Sequence, residues 1–258
     1  PRWGGGRLPL SESLGEQLRQ LIASKPDTKE AAELKVARPL LEAQQQLSAL
    51  PGEDELLIEL CKTREGYHCW VYPFEGRLAH QTLGMLLTRR LERMRLKPMG
   101  FVASDYALAV WGLSDLSAAF DGSARHMAEL FNEDLLGDDL DEWLADSVLL
   151  KRTFRQVATI AGLIERRHPG QEKTGRQMTV SSDLIYDVLR KHEPRHVLLR
   201  ATRADAAVGL LDVRRLSDLL VSVQGKIRVR RLERVSPLAV PVMVNIGRES
   251  VEGSAMDD

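Results

Sequence analysis

A chain of 258 residues with 43% hydrophobic and 28% charged side chains has the composition of a folded globular protein, long enough for one large domain or two small ones. No apolar run approaches the roughly 18 residues of a membrane span, and Pro1-Arg2-Trp3-Gly4-Gly5-Gly6 lacks the apolar core of a signal peptide, so the expectation is a cytoplasmic protein with no membrane partner. The net charge of -1 hides an uneven distribution: residues 1–150 hold 16 Lys/Arg against 24 Asp/Glu, and residues 151–235 hold 19 against 9, which makes the rear half the candidate phosphate-facing surface.

In chain order, Ser11 is placed to cap a first helix carrying Leu14, Leu18, Leu21 and Ile22 on one face, stopped by Lys25-Pro26-Asp27. A second helical stretch covers about 28–49. There Pro39 is read as opening a further helix, with Leu40, Leu41, Gln44 and Leu47 turned inward. Residues 55–62 and 67–72 form a hairpin around Arg64-Glu65-Gly66. A helix over 77–96 follows, with Arg90 on its apolar stripe and in need of a carboxylate partner or a ligand phosphate.

Strands are expected over 99–104 and 106–111, and helices over 123–132, 139–166, about 181–192 (capped by Ser181 or Ser182) and 195–224. The long helix would turn Trp143, Leu150, Phe154, Val157, Ala158, Ala161 and Ile164 to one side and Arg152, Arg155 and Thr159 to the other. Two closing strands, 226–233 and 238–244, come last, and the tail after Gly247 is expected to be disordered. Cys61 and Cys69 read as reduced thiols, and they find no partners for a metal tetrahedron.

The fold class expected is α+β, predominantly helical with short antiparallel strands. The expected domain spans 1–247, with a strand-containing part at 50–115, a helical part at 120–225 and closing strands at 226–245, followed by the disordered tail at 248–258.

The chain has no G-x-x-x-x-G-K-[ST] loop to cradle nucleotide phosphates, no DExH box, no G-x-S-x-G elbow and no H-E-x-x-H helix, so neither a catalytic residue nor a bound cofactor is expected in it. The residues suited by type to nucleic acid are different ones. Trp3, beside Arg2 and three glycines, either stacks on a base or folds back onto the core. Lys173, Arg176 and Gln177, in the loop before a helix start, offer cations and free amides to a phosphate, or are simply solvated. Arg152 and Arg155 add two cations on one helical face. The acidic stretch 115–146, with ten Asp/Glu to one Arg, suits solvent or a protein partner.

Several strings, taken in order, resemble those of Lhr-type (large helicase-related) helicases, in the branch of ligase-associated DExH box helicases. They are Pro1–Ser11, Asp54–Glu59, Tyr72–His80 (Tyr-Pro-Phe-Glu-Gly-Arg-Leu-Ala-His), Phe154–Ala158, Pro169–Gln177 and Ser181–Val188. The resemblance implies the DEAD/H-associated, C-terminal accessory part of an ATP-dependent 3′-to-5′ helicase. That part is a β-barrel with added helices that grips single-stranded DNA in a DNA-repair setting. It further implies that ATP and Mg are bound in motor domains of a longer polypeptide. The partners would be RecA-like and winged-helix domains of that polypeptide, with a DNA ligase and a nuclease in the same pathway. Trp3 matches the family's base-stacking tryptophan. The other reading kept open is a protein-docking module with no nucleic-acid contact.

Overall fold

The computed structural model describes residues 10–24, 32–121, 123–132, 148–164, 167–168, 171–172, 175–209 and 213–246. The expectations for Arg2, Trp3, Trp143, Lys173 and the tail at 248–258 lie outside these. The chain divides into two compact units, the first drawn from residues 1–137 and 213–258 and the second from 138–212.

The first unit is built on a five-stranded open sheet. The expected hairpin is β1 (Leu56–Thr63) and β2 (Gly66–Val71), in register from Ile58↔Val71 to Thr63↔Gly66. β3 (Pro98–Ala103) and β4 (Leu108–Gly112) form a second antiparallel pair that joins the outer side of β2. β7 (Ile227–Leu232) departs from the antiparallel expectation by pairing parallel to β1, from Leu56↔Ile227 to Cys61↔Leu232. The strand order is therefore β3-β4-β2-β1-β7.

Strand alternation puts Leu57, Cys61, Trp70, Tyr72, Val102 and Ala109 in one cluster with Ile22 of α1 (Glu12–Ala23) and Leu41 of α2 (Ala32–Leu47). The amphipathic helix expected over 77–96 is α3 (Arg77–Arg93), whose Leu83, Leu87 and Leu91 are fully buried. Each is worth about 1.5–3 kcal/mol of apolar burial. Cys61 and Cys69 are free and buried, and the register pairs Cys61 with His68 and Cys69 with Leu60, so the two thiols lie on opposite faces of the sheet.

Three expectations need correction here. Pro39 lies inside α2, which runs unbroken: its fixed φ is helical, and the missing N–H removes one bond while packing holds the rest. On that helix Leu41 and Gln44 are buried but Leu40 is exposed. The closing strand expected over 238–244 is instead a short helix, α9 (Val240–Met243), with Pro241 in its first turn, where a proline fits and where a paired strand would have lost a donor.

Two buried charges of this unit, Glu59 and Arg90, are held by hydrogen bonds with distant elements. Glu59, fully buried on β1, accepts from Gln44 Nε2 (2.7 Å), Tyr72 OH (2.6 Å) and Ser236 Oγ (2.5 Å), which ties α2, the hairpin and the C-terminal segment together. A buried donor left unmatched there would cost on the order of 1–3 kcal/mol. Arg90 is buried and donates to the carbonyls of Leu130 (2.6 Å) and Asn132 (2.5 Å) at the end of α4 (Ala124–Phe131). A helix C-terminus, negative by its dipole, therefore supplies part of the charge compensation that Arg90 needs on its apolar face.

The string Tyr72–His80 forms a clasp. Glu75 meets Arg19 of α1 (3.4 Å) and Arg215 (3.2 Å) of α8 (Val213–Ser222), and Arg215 also donates to the Leu10 carbonyl (2.8 Å). Gly76, at φ +85, leaves the space that a Cβ would take from Arg215 Nη1, only 3.1 Å from the Cβ position. His80, fully buried, receives the Glu75 N–H on Nε2 (2.9 Å) and donates from Nδ1 to the Ser104 carbonyl (2.7 Å), which requires the neutral ring.

The second unit is a helical assembly of α5 (Val148–Ile160), α6 (Gly175–His192) and α7 (Val197–Gly209), with the two-residue strands β5 (Arg167–His168) and β6 (Gln171–Glu172) between the first two helices. Leu150, Phe154, Ala158, Ile164, Tyr186, Leu199 and Ala206 form its core, with Phe154 edge-on to Tyr186 at 5.3 Å. The helix expected over 139–166 is described from Val148 and stops at Ile160. Gly162, at φ +73, closes it, and Ala161 is left exposed. α6 begins at Gly175, ahead of the expected Ser181 or Ser182 cap.

Burial holds the His80 ring down to about 4, below its ordinary value of 6.5. The folded state therefore resists a proton that the unfolded chain accepts, so the contribution is complete above pH ~6.5 and is lost as pH falls toward 4. The loss amounts to about 3 kcal/mol. Urea unfolding from pH 7 to 4.5 should show His80→Gln less stable at neutral pH and with a shallower acid decline than the parent. Parallel curves would contradict this.

Candidate nucleic-acid interface

On α5, four positions close to the α6 contact carry the chemistry. Lys151 pairs with Asp187 at 3.1 Å, and one turn later Arg155 pairs with Asp183 at 3.1 Å while its Nε donates to Ser182 Oγ at 2.8 Å. Partners that descend along α6 as the cations ascend α5 make an antiparallel two-rung ladder. Arg155 is thus committed to holding α6, and Thr159 turns back to bond its own helix at the Arg155 carbonyl. Arg152 is exposed and has no partner among the described residues.

The ladder also fixes which ends meet. Arg176 and Gln177 lie in the first turn of α6 and not in a loop, seven residues before Asp183 in the case of Arg176. At 1.5 Å per residue this places them on the order of 10 Å further along the axis than the Arg155 rung, away from Arg152. The structure therefore does not bring Arg152 and Arg176 together.

What lies at Arg152's end is a different set. The last turn of α6 holds Arg190, Lys191 and His192, favoured there by the helix dipole, and Arg195 sits in the turn to α7. Asp187, Arg190 and Lys191 line an open cleft of about 380 Å³. Lys191 and Arg195 are exposed and, like Arg152, unpaired among the described residues; Arg200 and Arg203 continue the series along the outer side of α7. Reading positions one at a time missed this cluster because its members come from separate helices. The visible signal was the spacing of Arg190, Lys191, Arg195, Arg200 and Arg203 around Pro194.

A second basic feature, in the first unit, is the segment Lys226–Arg234, with five Lys/Arg and one Glu in nine residues. Arg228 is held by Glu55 at 2.8 Å, and Arg231 reaches the Ser117 carbonyl at 3.5 Å. Arg230 and Arg234 are exposed.

A family model, DEAD/H associated, matches residues 50–239. The chain belongs to the DEAD/H associated family. Its likeness to Lhr-type helicases, legible in the strings above, is borne out by relatives. It is 22% identical to the ATP-dependent helicase Lhr-Core of Methanocaldococcus jannaschii over 97% of this chain and 30% of that protein. It is 24% identical to ATP-dependent helicase Lhr-Core protein 2 of Thermococcus barophilus over 93% of this chain and 29% of that protein.

The fold is shared with Mycobacterium smegmatis helicase Lhr, solved bound to ssDNA and AMP-PNP, with a TM-score of 0.73 and 20% identity across 93% of this chain and 32% of that one. The chain thus spans about 30% of the length of the relatives it matches. Among the described residues no helix is long and apolar enough to cross a membrane.

The two arginines of α5 should separate experimentally. Arg155→Gln, which removes a half-buried charge-assisted tie, should lower the stability of the helical unit by about 1 kcal/mol, whereas Arg152→Gln should stay within about 0.5 kcal/mol of the parent. Thermal melts followed by circular dichroism check this; equal effects of the two changes would contradict the assignment.

Proposed function

We propose that this chain is the accessory region, over residues 1–247, of an ATP-dependent 3′-to-5′ helicase of the ligase-associated Lhr branch, acting in cytoplasmic DNA repair beside a DNA ligase and a nuclease. It grips single-stranded DNA. ATP and Mg are held by the RecA-like motor domains of the same polypeptide, which a winged helix joins to this region, and no catalytic residue is assigned here.

The observation that carries the reading is the unpaired cation cluster of the helical unit. Residues 148–209 hold 12 Lys/Arg against 6 Asp/Glu, and Arg152, Lys191 and Arg195 stand exposed at one end while Lys151 and Arg155 are already engaged by Asp187 and Asp183. Free guanidinium and ammonium groups, with Lys191 on the wall of an open cleft, suit phosphate contacts. The solved Lhr relative carries ssDNA, which fits the same reading. Arg2 and Trp3 would add a stacking contact, and Lys173, Arg176 and Gln177 a phosphate contact.

A second reading has one specific observation in its favour. Val180, Leu184 and Val188 form an exposed stripe along α6, 64%, 65% and 49% accessible, which would suit docking on the motor domains or a repair partner. The two readings part in a titration with a single-stranded oligonucleotide. Association should weaken steeply with salt, and Arg152→Gln/Lys191→Gln/Arg195→Gln together should reduce the log–log salt slope by about 2, at roughly 0.7 for each phosphate no longer neutralised. Unchanged affinity and slope would favour the docking module.

A further inference from the structure

The sheet of the first unit ends on β7, and this edge is chemically unlike the rest of the sheet. β1, its neighbour, is buried from Leu56 to Cys61, whereas β7 exposes every charged residue it has. The ladder with β1 begins at the Leu56 N–H donating to the Lys226 carbonyl (2.9 Å), so the even-numbered residues of β7 turn their backbone groups toward β1. On that register Arg228 pairs with Leu57 and Arg230 with Glu59, so both side chains lie on one face of the sheet, two residues apart.

Strand geometry separates such neighbours by about 6.6 Å. Lys226 precedes them and Arg234 follows, giving a row of cations along the rim. Glu55 offsets Arg228, but Lys226, Arg230 and Arg234 are exposed with no partner among the described residues. The fully buried Glu59 lies beside Arg230 in register, yet it is satisfied by Gln44, Tyr72 and Ser236 and does not hold the arginine.

Edge strands commonly carry charge to deter pairing with other chains. That purpose does not account for five cations to one acid in nine residues, nor for four of the five being arginine. Arginine presents a planar fork of donors matched to phosphate oxygens. We infer that the rim of β7, through Lys226, Arg230 and Arg234 with Arg228 between them, is a second phosphate-contacting track for a nucleic-acid strand, on a different unit from the Arg152–Lys191–Arg195 cluster. It rests on the reading that this chain binds nucleic acid, and adds a contact surface to it.

The test uses the full chain with Lys226→Gln, Arg230→Gln and Arg234→Gln combined. All three residues are exposed, so the fold should hold, which a circular-dichroism melt checks. The probes are a fluorescent single-stranded oligonucleotide and, separately, a fluorescent polyglutamate peptide, each titrated over a range of salt. The expected result is oligonucleotide affinity lowered at least ~10-fold at low salt, with the salt slope reduced by about 2.

Oligonucleotide binding unchanged by these substitutions, while the Arg152/Lys191/Arg195 variant still weakens it, would overturn the track and leave the proposed function standing. No oligonucleotide binding by the parent chain would overturn both. Rim-dependent capture of polyglutamate without rim-dependent binding of the oligonucleotide would also overturn the track, making β7 a docking edge for acidic protein strands.

Discussion

A charge taken out of water must be met by a partner, and in this protein that requirement decides which cations remain for anything else. Arg90 is met by the carbonyls that end α4, Arg19 and Arg215 converge on Glu75, and Arg155 is met by Asp183 and Ser182. Removing one partner from such a pair leaves a stranded charge at a cost of several kcal/mol when buried, so these arginines are not available to a passing phosphate. Those that have no such obligation, Arg152, Lys191 and Arg195 in one unit and Arg230 and Arg234 in the other, are exposed.

The clasp around Glu75 gives a physical meaning to the string Tyr72–His80. Two guanidinium groups, a glycine that leaves them room and a neutral buried histidine that caps the Glu75 N–H join α1, α3 and α8 to the end of the hairpin. The string Tyr72–His80 therefore has a scaffold role, holding the elements that meet at the end of the hairpin.

Elements whose pattern is set by local chemistry were legible before the structure. The hairpin around Gly66, the helix over 77–96 and the pair 98–103 and 108–112 follow from alternation, periodicity and turn residues. What was not legible depended on contacts distant in sequence. The continuity of α2 through Pro39 is decided by packing, the parallel pairing of β7 by a strand about 170 residues earlier, and the partners of Arg90 by a helix end 40 residues later. The expected strand over 238–244 gives way to a helix because of the prolines beside and within it. The site was half visible for the same reason: a basic rear half could be counted, but which of its arginines are engaged and which end of the helical unit gathers the rest emerge only when α5 and α6 are laid antiparallel.

The claim that unpaired cations, and not merely basic segments, make the interface can be tested by arginine-selective labelling with phenylglyoxal, read by mass spectrometry with and without a saturating single-stranded oligonucleotide. The account predicts that Arg152 and Arg195 react readily in the free chain and are protected by the oligonucleotide, while Arg19, Arg90 and Arg215 stay unreactive in both conditions. Full reactivity of Arg152 and Arg195 in the bound chain would contradict it.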